Sequence, residues 1–387
     1  MRPLSLQFTS GCTMTDSTRI ACFFSTSGHS GVDRAAAHLI PALAGRGYQV
    51  DVLKVRQHGP YLREPLPPRV RVIDLGVSHT YASVPALVRY LRRERPVVLL
   101  SDKDRVNRTA LLARTLARVP TRLVFSSGTT ISIDLATRGA VERWMQRASM
   151  GRLYPLADQV IVTSAGVADD MAHYTGLARE RIRVVPSPVI PAELFTTTLP
   201  RPPHPWLGQP DWPLILSAGE LCHRKGFDTL LDAFARLRAQ RQCRLMIVGR
   251  GAARERLLAQ AAALGVAAEV VLPGFVAELY AYMAHADVFA FASRWEGLGF
   301  VLIEALAVGT PVVSTDCPSG PREILADGRY GRLVPVNDAP ALADALLATL
   351  AQPLPKQELQ LAARPYDIEI STTAYLAALG LPPFQPH

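Results

Sequence analysis

Residues 214–248 read LILSAGELCHRKGFDTLLDAFARLRAQRQCRLMIV, and this stretch decides the fold class. Leu214–Ser217 and Arg244–Val248 are short apolar runs of strand length. Between them Phe227–Ala239 repeats apolar residues at helical spacing. A strand, a crossover helix and a second strand form a βαβ unit, so the two strands lie parallel.

The alternation continues on both sides. Towards the C-terminus, strands read at Val270–Leu272, Val288–Phe291, Pro311–Thr315 and Gly331–Val334, with helices at Ala253–Leu264, Phe300–Val308 and Ala339–Leu350. Towards the N-terminus, strands read at Arg19–Ser25, Gln49–Lys54, Val70–Ile73, Val97–Leu100, Arg122–Phe125, Gln159–Val162 and Ile182–Val185. Arg34–Leu43, Val84–Arg93 and Ala165–Tyr174 read as amphipathic helices between them. Nine of the 28 residues in Pro186–Pro213 are proline, which continues neither a ladder nor a helix interior. The expected organisation is a loose tail over 1–17, a Rossmann-like α/β domain over 18–189, a proline-rich linker over 190–213, a second such domain over 214–363 and a C-terminal stretch over 364–387. Two doubly wound domains face each other across a central cleft at the carboxyl ends of their strands, where open parallel sheets bind ligands.

Composition narrows the function classes. Of the 387 residues 49% are hydrophobic and 19% charged, which is ample for two cores and excludes a disordered chain. The five cysteines (Cys12, Cys22, Cys222, Cys243 and Cys317) include no C-x-x-C pair, so neither a disulfide framework nor a metal site is expected. No secretory signal or membrane-spanning run is visible, and Met14 is an alternative start. Residues 1–200 hold 26 Lys and Arg against 15 Asp and Glu, whereas 201–387 hold 16 against 18. A basic first half and a near-neutral second half point to an anionic partner for the first. Arg138–Tyr154 mixes Arg143, Arg147 and Arg152 with Trp144, Met145, Met150 and Leu153, and Arg89–Arg95 adds charge. That mixture suits an anionic membrane surface, and equally a packed helix with a solvated basic face. No nucleic-acid module is present, so no nucleic-acid partner is expected.

The chemistry concentrates in Ser293-Arg-Trp-Glu-Gly-Leu-Gly-Phe-Val-Leu-Ile-Glu-Ala-Leu-Ala-Val-Gly-Thr-Pro-Val-Val313. A strand ends near Ala292, a glycine-containing loop follows, and a helix begins near Gly299. Glycines let backbone amides approach a ligand, and the free amides of a helix N-terminus favour an anion such as phosphate. Glu296 in the loop and Glu304 in the helix both reach the cleft. A second element, Ser217–Phe227, also joins a strand to a helix and carries Arg224 and Lys225, a planar fork and a mobile point charge suited to a diphosphate. A third, Ser27–Arg34, follows the first strand and contains Gly31. It is not the G-x-G-x-x-G of a dinucleotide site.

With its flanks, the 293–313 stretch resembles the retaining glycosyltransferases of the GT-B fold, family four. Those enzymes carry a Glu, seven residues and a second Glu, preceded by Ser and followed by Ala-x-Ala-x-Gly-x-Pro-Val-Val. The resemblance runs from about Leu214 to Leu350, through Leu272–Val276, Gly320–Leu325 and Gly331–Pro335. It implies that Glu296 holds hydroxyls of the donor sugar and Glu304 the two ribose hydroxyls. Amides of Gly297, Leu298, Gly299 and Phe300 then cradle the diphosphate, with Arg224 and Lys225 beside it. Val276 lies near the base, and Gly31 approaches the phosphate from the opposite domain. The implied donor is a nucleotide sugar, foremost a UDP-sugar, with no metal or other cofactor required. The implied acceptor is a glycan or a lipid-linked glycan in surface polysaccharide or lipopolysaccharide synthesis. The implied location is the cytoplasm, with peripheral contact at the inner face of its membrane. The C-terminal stretch is expected to return to the first domain.

Two departures stand out. Glu220 occupies a place where the family commonly has arginine, and the loop Ser126-Ser-Gly-Thr-Thr130 lacks the histidine that many relatives carry there. Neither His29 nor His173 matches that position. A non-catalytic nucleotide-sugar-binding or scaffold protein of the same fold, or a GT-B nucleotide-sugar epimerase, therefore stands as the alternative.

Overall fold

The computed structural model describes residues 18–26, 31–55, 58–136, 138–209 and 211–383. The tail 1–17, and the part of the third motif that contains His29 and Ser30, lie outside the described residues. The first half runs β1 (Arg19–Phe24), α1 (Gly31–Gly45), β2 (Gln49–Lys54), β3 (Val70–Asp74), α2 (Val84–Glu94), β4 (Val98–Asp102), α3 (Asp104–Ala117), β5 (Arg122–Ser127), α4 (Ile131–Asp134), α5 (Ala140–Leu153), β6 (Gln159–Val162), α6 (Ala165–Thr175) and β7 (Ile182–Val184). The second runs β8 (Leu214–Ala218), α7 (Phe227–Arg238), β9 (Arg244–Val248), α8 (Arg254–Ala263), β10 (Val270–Gly274), α9 (Leu279–Ala284), β11 (Val288–Phe291), α10 (Phe300–Val308), β12 (Val312–Thr315), α11 (Pro321–Ile324), β13 (Arg332–Val334), α12 (Ala339–Ala351), α13 (Lys356–Ala363) and α14 (Ile368–Leu379).

The strands form two parallel sheets, ordered β3-β2-β1-β4-β5-β6-β7 and β10-β9-β8-β11-β12-β13. Their central strands are buried on both faces, as near-continuous apolar runs in a parallel sheet require. In the first sheet, α2, α3, α5 and α6 cover one face and α1 with α14 the other. In the second, α7, α8 and α12 cover one face and α9, α10 and α13 the other. Several strands outlast their apolar runs. Asp102 at the end of β4 pairs in register with Ser126 of β5, because backbone pairing continues through polar residues at the cleft end.

The proline-rich segment is packed rather than free. Ile190, Leu194, Phe195 and Leu207 are buried in the core of the second domain. Arg244 lies 5.1 Å from the Trp206 ring and 4.9 Å from the Trp212 ring, a cation–π clasp on the same segment. The chain passes between domains twice, and the two crossings are bonded to each other. The amides of Val189 and Ile190 donate to the Tyr366 carbonyl, both at 3.0 Å, and that of Ile368 donates to the Ile190 carbonyl at 2.9 Å. Beyond this point Tyr375, Leu376 and Leu379 of α14 join the core of the first domain.

Candidate active site

Each sheet reverses its strand order once, between β1 and β4 and between β8 and β11. Ligands of open α/β sheets bind outside the carboxyl ends of the strands at such points. The loops leaving β8 and β11 carry Arg224, Lys225 and Glu296, so the second switch point collects the charged residues singled out from sequence. Close approach of the two loops requires glycine at position 226. Its φ is +61°, and a Cβ there would lie 2.0 Å from the Ala292 carbonyl oxygen.

Arg294 locks these loops together. Its backbone amide donates to the Arg224 carbonyl at 2.7 Å. Its guanidinium forms a two-pronged pair with Asp228 at 2.9 and 3.0 Å, and also donates to the His223 carbonyl at 2.6 Å and to Asn337 at 2.7 Å. Such forked geometry fixes orientation as well as distance.

Glu296 sits inside this frame, 7% exposed. One carboxylate oxygen accepts from Lys225 Nζ at 2.5 Å and Ser293 Oγ at 2.7 Å, and the other from Arg224 at 2.6 Å. Burial by itself would raise the carboxyl pKa. The charges of Lys225 and Arg224, with the hydrogen bonds from Lys225 and Ser293, outweigh it and hold Glu296 below the usual glutamate range. The result is an ionised carboxylate flanked by two cations that keep further donors for a ligand.

Gly299 ends the loop with φ +97° and α10 starts at Phe300. The first-turn amides of a helix have no carbonyl within it to bond, which favours an anion at this mouth. One turn further in, Glu304 is fully buried. Arg34 of the first domain forms an ion pair with one of its oxygens, and neither oxygen accepts a hydrogen bond among the described residues. Arg34 also lies 5.9 Å over the Phe300 ring. A Cβ at Gly31 would lie 3.6 Å from the same ring, so the N-termini of α1 and α10 face each other across the cleft.

The first domain closes the cleft elsewhere too. Thr130 Oγ1 donates to the Glu296 carbonyl at 3.1 Å and is hydrogen-bonded with Ser319 Oγ at 3.2 Å. Ser164 Oγ donates to the Gly297 carbonyl at 2.9 Å, and Glu323 accepts the Ala165 amide at 2.7 Å at the start of α6. Gly297 is pressed against the first domain so closely that a Cβ would meet the Gly128 carbonyl oxygen at 1.8 Å. The loop that lacks the family's histidine therefore docks on the residues around Glu296.

The structure gathers Glu296, Arg224 and Lys225 into one cluster, and Gly299, Phe300, Glu304 and Gly31 around the start of α10. The Leu298 side chain lies in the core, and Gly297 serves as a domain contact. Val276 is half-buried after β10, packed against the same core that Phe300 flanks. Glu220 is exposed. Sequence reading does not single out Arg294, Thr130 or Ser164, and it reaches Arg34 only as the last residue of the motif Ser27–Arg34. A groove of 720 Å³ between α1 and α14 contains none of these residues. Among the described residues no group of three or more His, Cys, Asp or Glu side chains is placed to hold a metal ion. No described helix is long and apolar enough to cross a membrane.

Two parallel α/β domains with their switch points turned towards each other define the GT-B architecture. The solved structure of Anabaena Alr3699/HepE in complex with UDP and glucose shares this fold, with a TM-score of 0.73 and 19% identity over 94% of this chain and 99% of that one. Residues 212–352 match the family model of glycosyl transferases group 1, and residues 30–188 match that of the glycosyl transferase 4-like domain. A phosphatidyl-myo-inositol mannosyltransferase of Mycobacterium leprae is 30% identical over 85% of this chain and 86% of its own. The lipopolysaccharide core biosynthesis glycosyltransferase LpsE of Rhizobium meliloti is 28% identical over 82% of this chain and 84% of its own. The chain belongs to the group 1 glycosyltransferases.

Proposed function

We propose that this enzyme transfers a hexosyl unit from a nucleotide sugar, foremost a UDP-sugar, to a glycan or lipid-linked acceptor, with retention at the anomeric carbon. Surface polysaccharide or lipopolysaccharide assembly is the setting. The observation that carries the reading is Glu304, a fully buried carboxylate neither oxygen of which accepts a hydrogen bond among the described residues, one turn inside a helix whose N-terminus opens on the cleft. A buried acceptor without a donor is costly, and the two hydroxyls of a ribose supply what it lacks. The diphosphate then lies at the amides of Leu298, Gly299 and Phe300, between the two facing helix N-termini.

The acceptor hydroxyl attacks the anomeric carbon as the bond to the leaving phosphate oxygen breaks, and that phosphate takes the acceptor's proton. Charge develops on the diphosphate, where Arg224 and Lys225 stabilise it more strongly than in the ground state. Glu296 orients the sugar through its hydroxyls. In this scheme the two side chains and the helix termini do the electrostatic work of a metal, and none is required. Thermal unfolding with UDP, GDP, ADP, their common sugars and NAD tests the reading. A ligand at 100 times its Kd adds about 2.7 kcal/mol. The expected result is a shift with one nucleotide that Glu304→Ala abolishes. A response to NAD alone, or to nothing in the panel, overturns it.

A peripheral membrane contact for the lipid-linked acceptor belongs to the same proposal. Its support is the outer face of α2, α3 and α5, where Val141, Trp144, Met145, Leu112 and Leu116 are exposed beside Arg92, Arg93, Arg143 and Arg147. Flotation with anionic liposomes at low salt is the check. The protein rises with the vesicles if the face binds, and stays in the dense fraction if it does not.

A further inference from the structure

We infer that Arg34, a residue of the first domain, belongs to the nucleotide subsite of the second: it holds Glu304 in the empty enzyme and is displaced when a ribose takes that carboxylate. The inference rests on the ribose reading of Glu304 and adds a positioning residue to it.

The two partners are unequal. Glu304 is fully buried on α10, whose residues on either side are core, so it cannot leave. A charged carboxylate so placed is strongly disfavoured unless it is paired. Arg34 is the cation that pairs with it, and it comes from the other domain. Its side chain is 43% exposed, so it moves into water at small cost. On the second domain it also makes a hydrogen bond with Tyr280 and lies 5.9 Å over the Phe300 ring.

Guanidinium and ribose hydroxyls are donors for the same two oxygens. Among the described residues neither oxygen accepts a hydrogen bond and one is ion-paired with Arg34, so a first hydroxyl finds an unpaired acceptor and a second competes with the guanidinium. Once released, Arg34 stays within the first turn of α1, whose start faces the start of α10. A diphosphate between those helix ends receives the freed charge. Glu304 thus passes from a cation to neutral hydroxyls while the cation passes to the donor's phosphates.

Calorimetry on the full chain tests this with nucleosides, which offer the ribose without the phosphate. The probes are uridine and guanosine, their 2′-deoxy forms and the matching diphosphates. Arg34→Gln is expected to bind the matching nucleoside about tenfold more tightly than wild type, a difference of about 1.4 kcal/mol. Arg34→Lys keeps the charge and is expected to return affinity towards wild type. For the diphosphate the gain shrinks or reverses, because the freed charge is missing. Tyr280→Phe, which removes only a tether of Arg34, tightens nucleoside binding in the same direction and serves if Arg34→Gln folds poorly. Equal or weaker nucleoside binding in these variants overturns the inference. If the 2′-deoxynucleoside binds wild type as well as the ribonucleoside does, the ribose reading itself fails. A deoxy penalty without an Arg34→Gln gain sinks the Arg34 inference alone.

Discussion

At the scale of single residues, two buried carboxylates respond to pH in opposite senses. Glu296 is held below the usual range by Lys225 and Arg224 despite its burial. Its contribution to stability is present at neutral pH and is lost as pH falls through that depressed value. Glu296→Gln removes this acid limb, leaves the buried Lys225 short of its counter-charge, and costs about 3 kcal/mol in thermal melts at pH 7. Transfer is expected to fall by about 100-fold or more. Asp102, at the end of β4, is pushed up to about 6 by burial, which its Ser126 and Lys103 neighbours only partly offset. An acid raised in the folded state loses stability as pH climbs from its ordinary value through 6. Asp102→Asn is therefore expected to melt higher than wild type at pH 8, by about 1–3 kcal/mol, with the difference vanishing near pH 4. A wild type that gains on Asp102→Asn as pH rises would contradict the burial assignment.

At the scale of elements, the site depends on the join of two loops more than on either alone. Arg294 ties the loop after β11 to the start of α7 through Asp228, and to the loop after β8 through the His223 and Arg224 carbonyls. Arg294→Ala leaves both sheets intact but frees the spacing between Glu296 and the pair Arg224 and Lys225. Steady-state kinetics are expected to show kcat reduced roughly 10- to 100-fold, the scale of a misplacement near 1 Å. An unchanged kcat would mean that the glycine contact at Gly226 suffices to hold the loops.

At the scale of the whole molecule, the two domains meet through side chains across the cleft and through backbone at the chain crossings. Gly297 leaves no room for a Cβ beside the Gly128 carbonyl, and the bonded crossings at Ile190 and Asp367 are where a hinge would bend. Gly297→Ala keeps the second sheet and the nucleotide subsite, and obstructs the approach of the loop at 128–130. Scattering is expected to report a wider empty molecule and kinetics a lower kcat, with nucleotide binding largely retained. Loss of nucleotide binding in this variant would show that the loop conformation itself, rather than closure, depends on the glycine.

The sequence alone determined the parallel α/β order, because buried strands write themselves as apolar runs and crossover helices as a longer period between them. It also determined the chemistry of the loop from Ser293 to Phe300, where glycine, a carboxylate and a helix start are contiguous. It did not reveal α3 (Asp104–Ala117), where the exposed Leu112 and Leu116 blur the apolar period. The tertiary structure decided which distant residues meet. Arg34 pairs with Glu304 and Thr130 reaches the backbone of Glu296 only because two separately wound sheets present their switch points to each other. Local periodicity records which face of an element is buried, and it carries no information about what an opposite domain brings to that face.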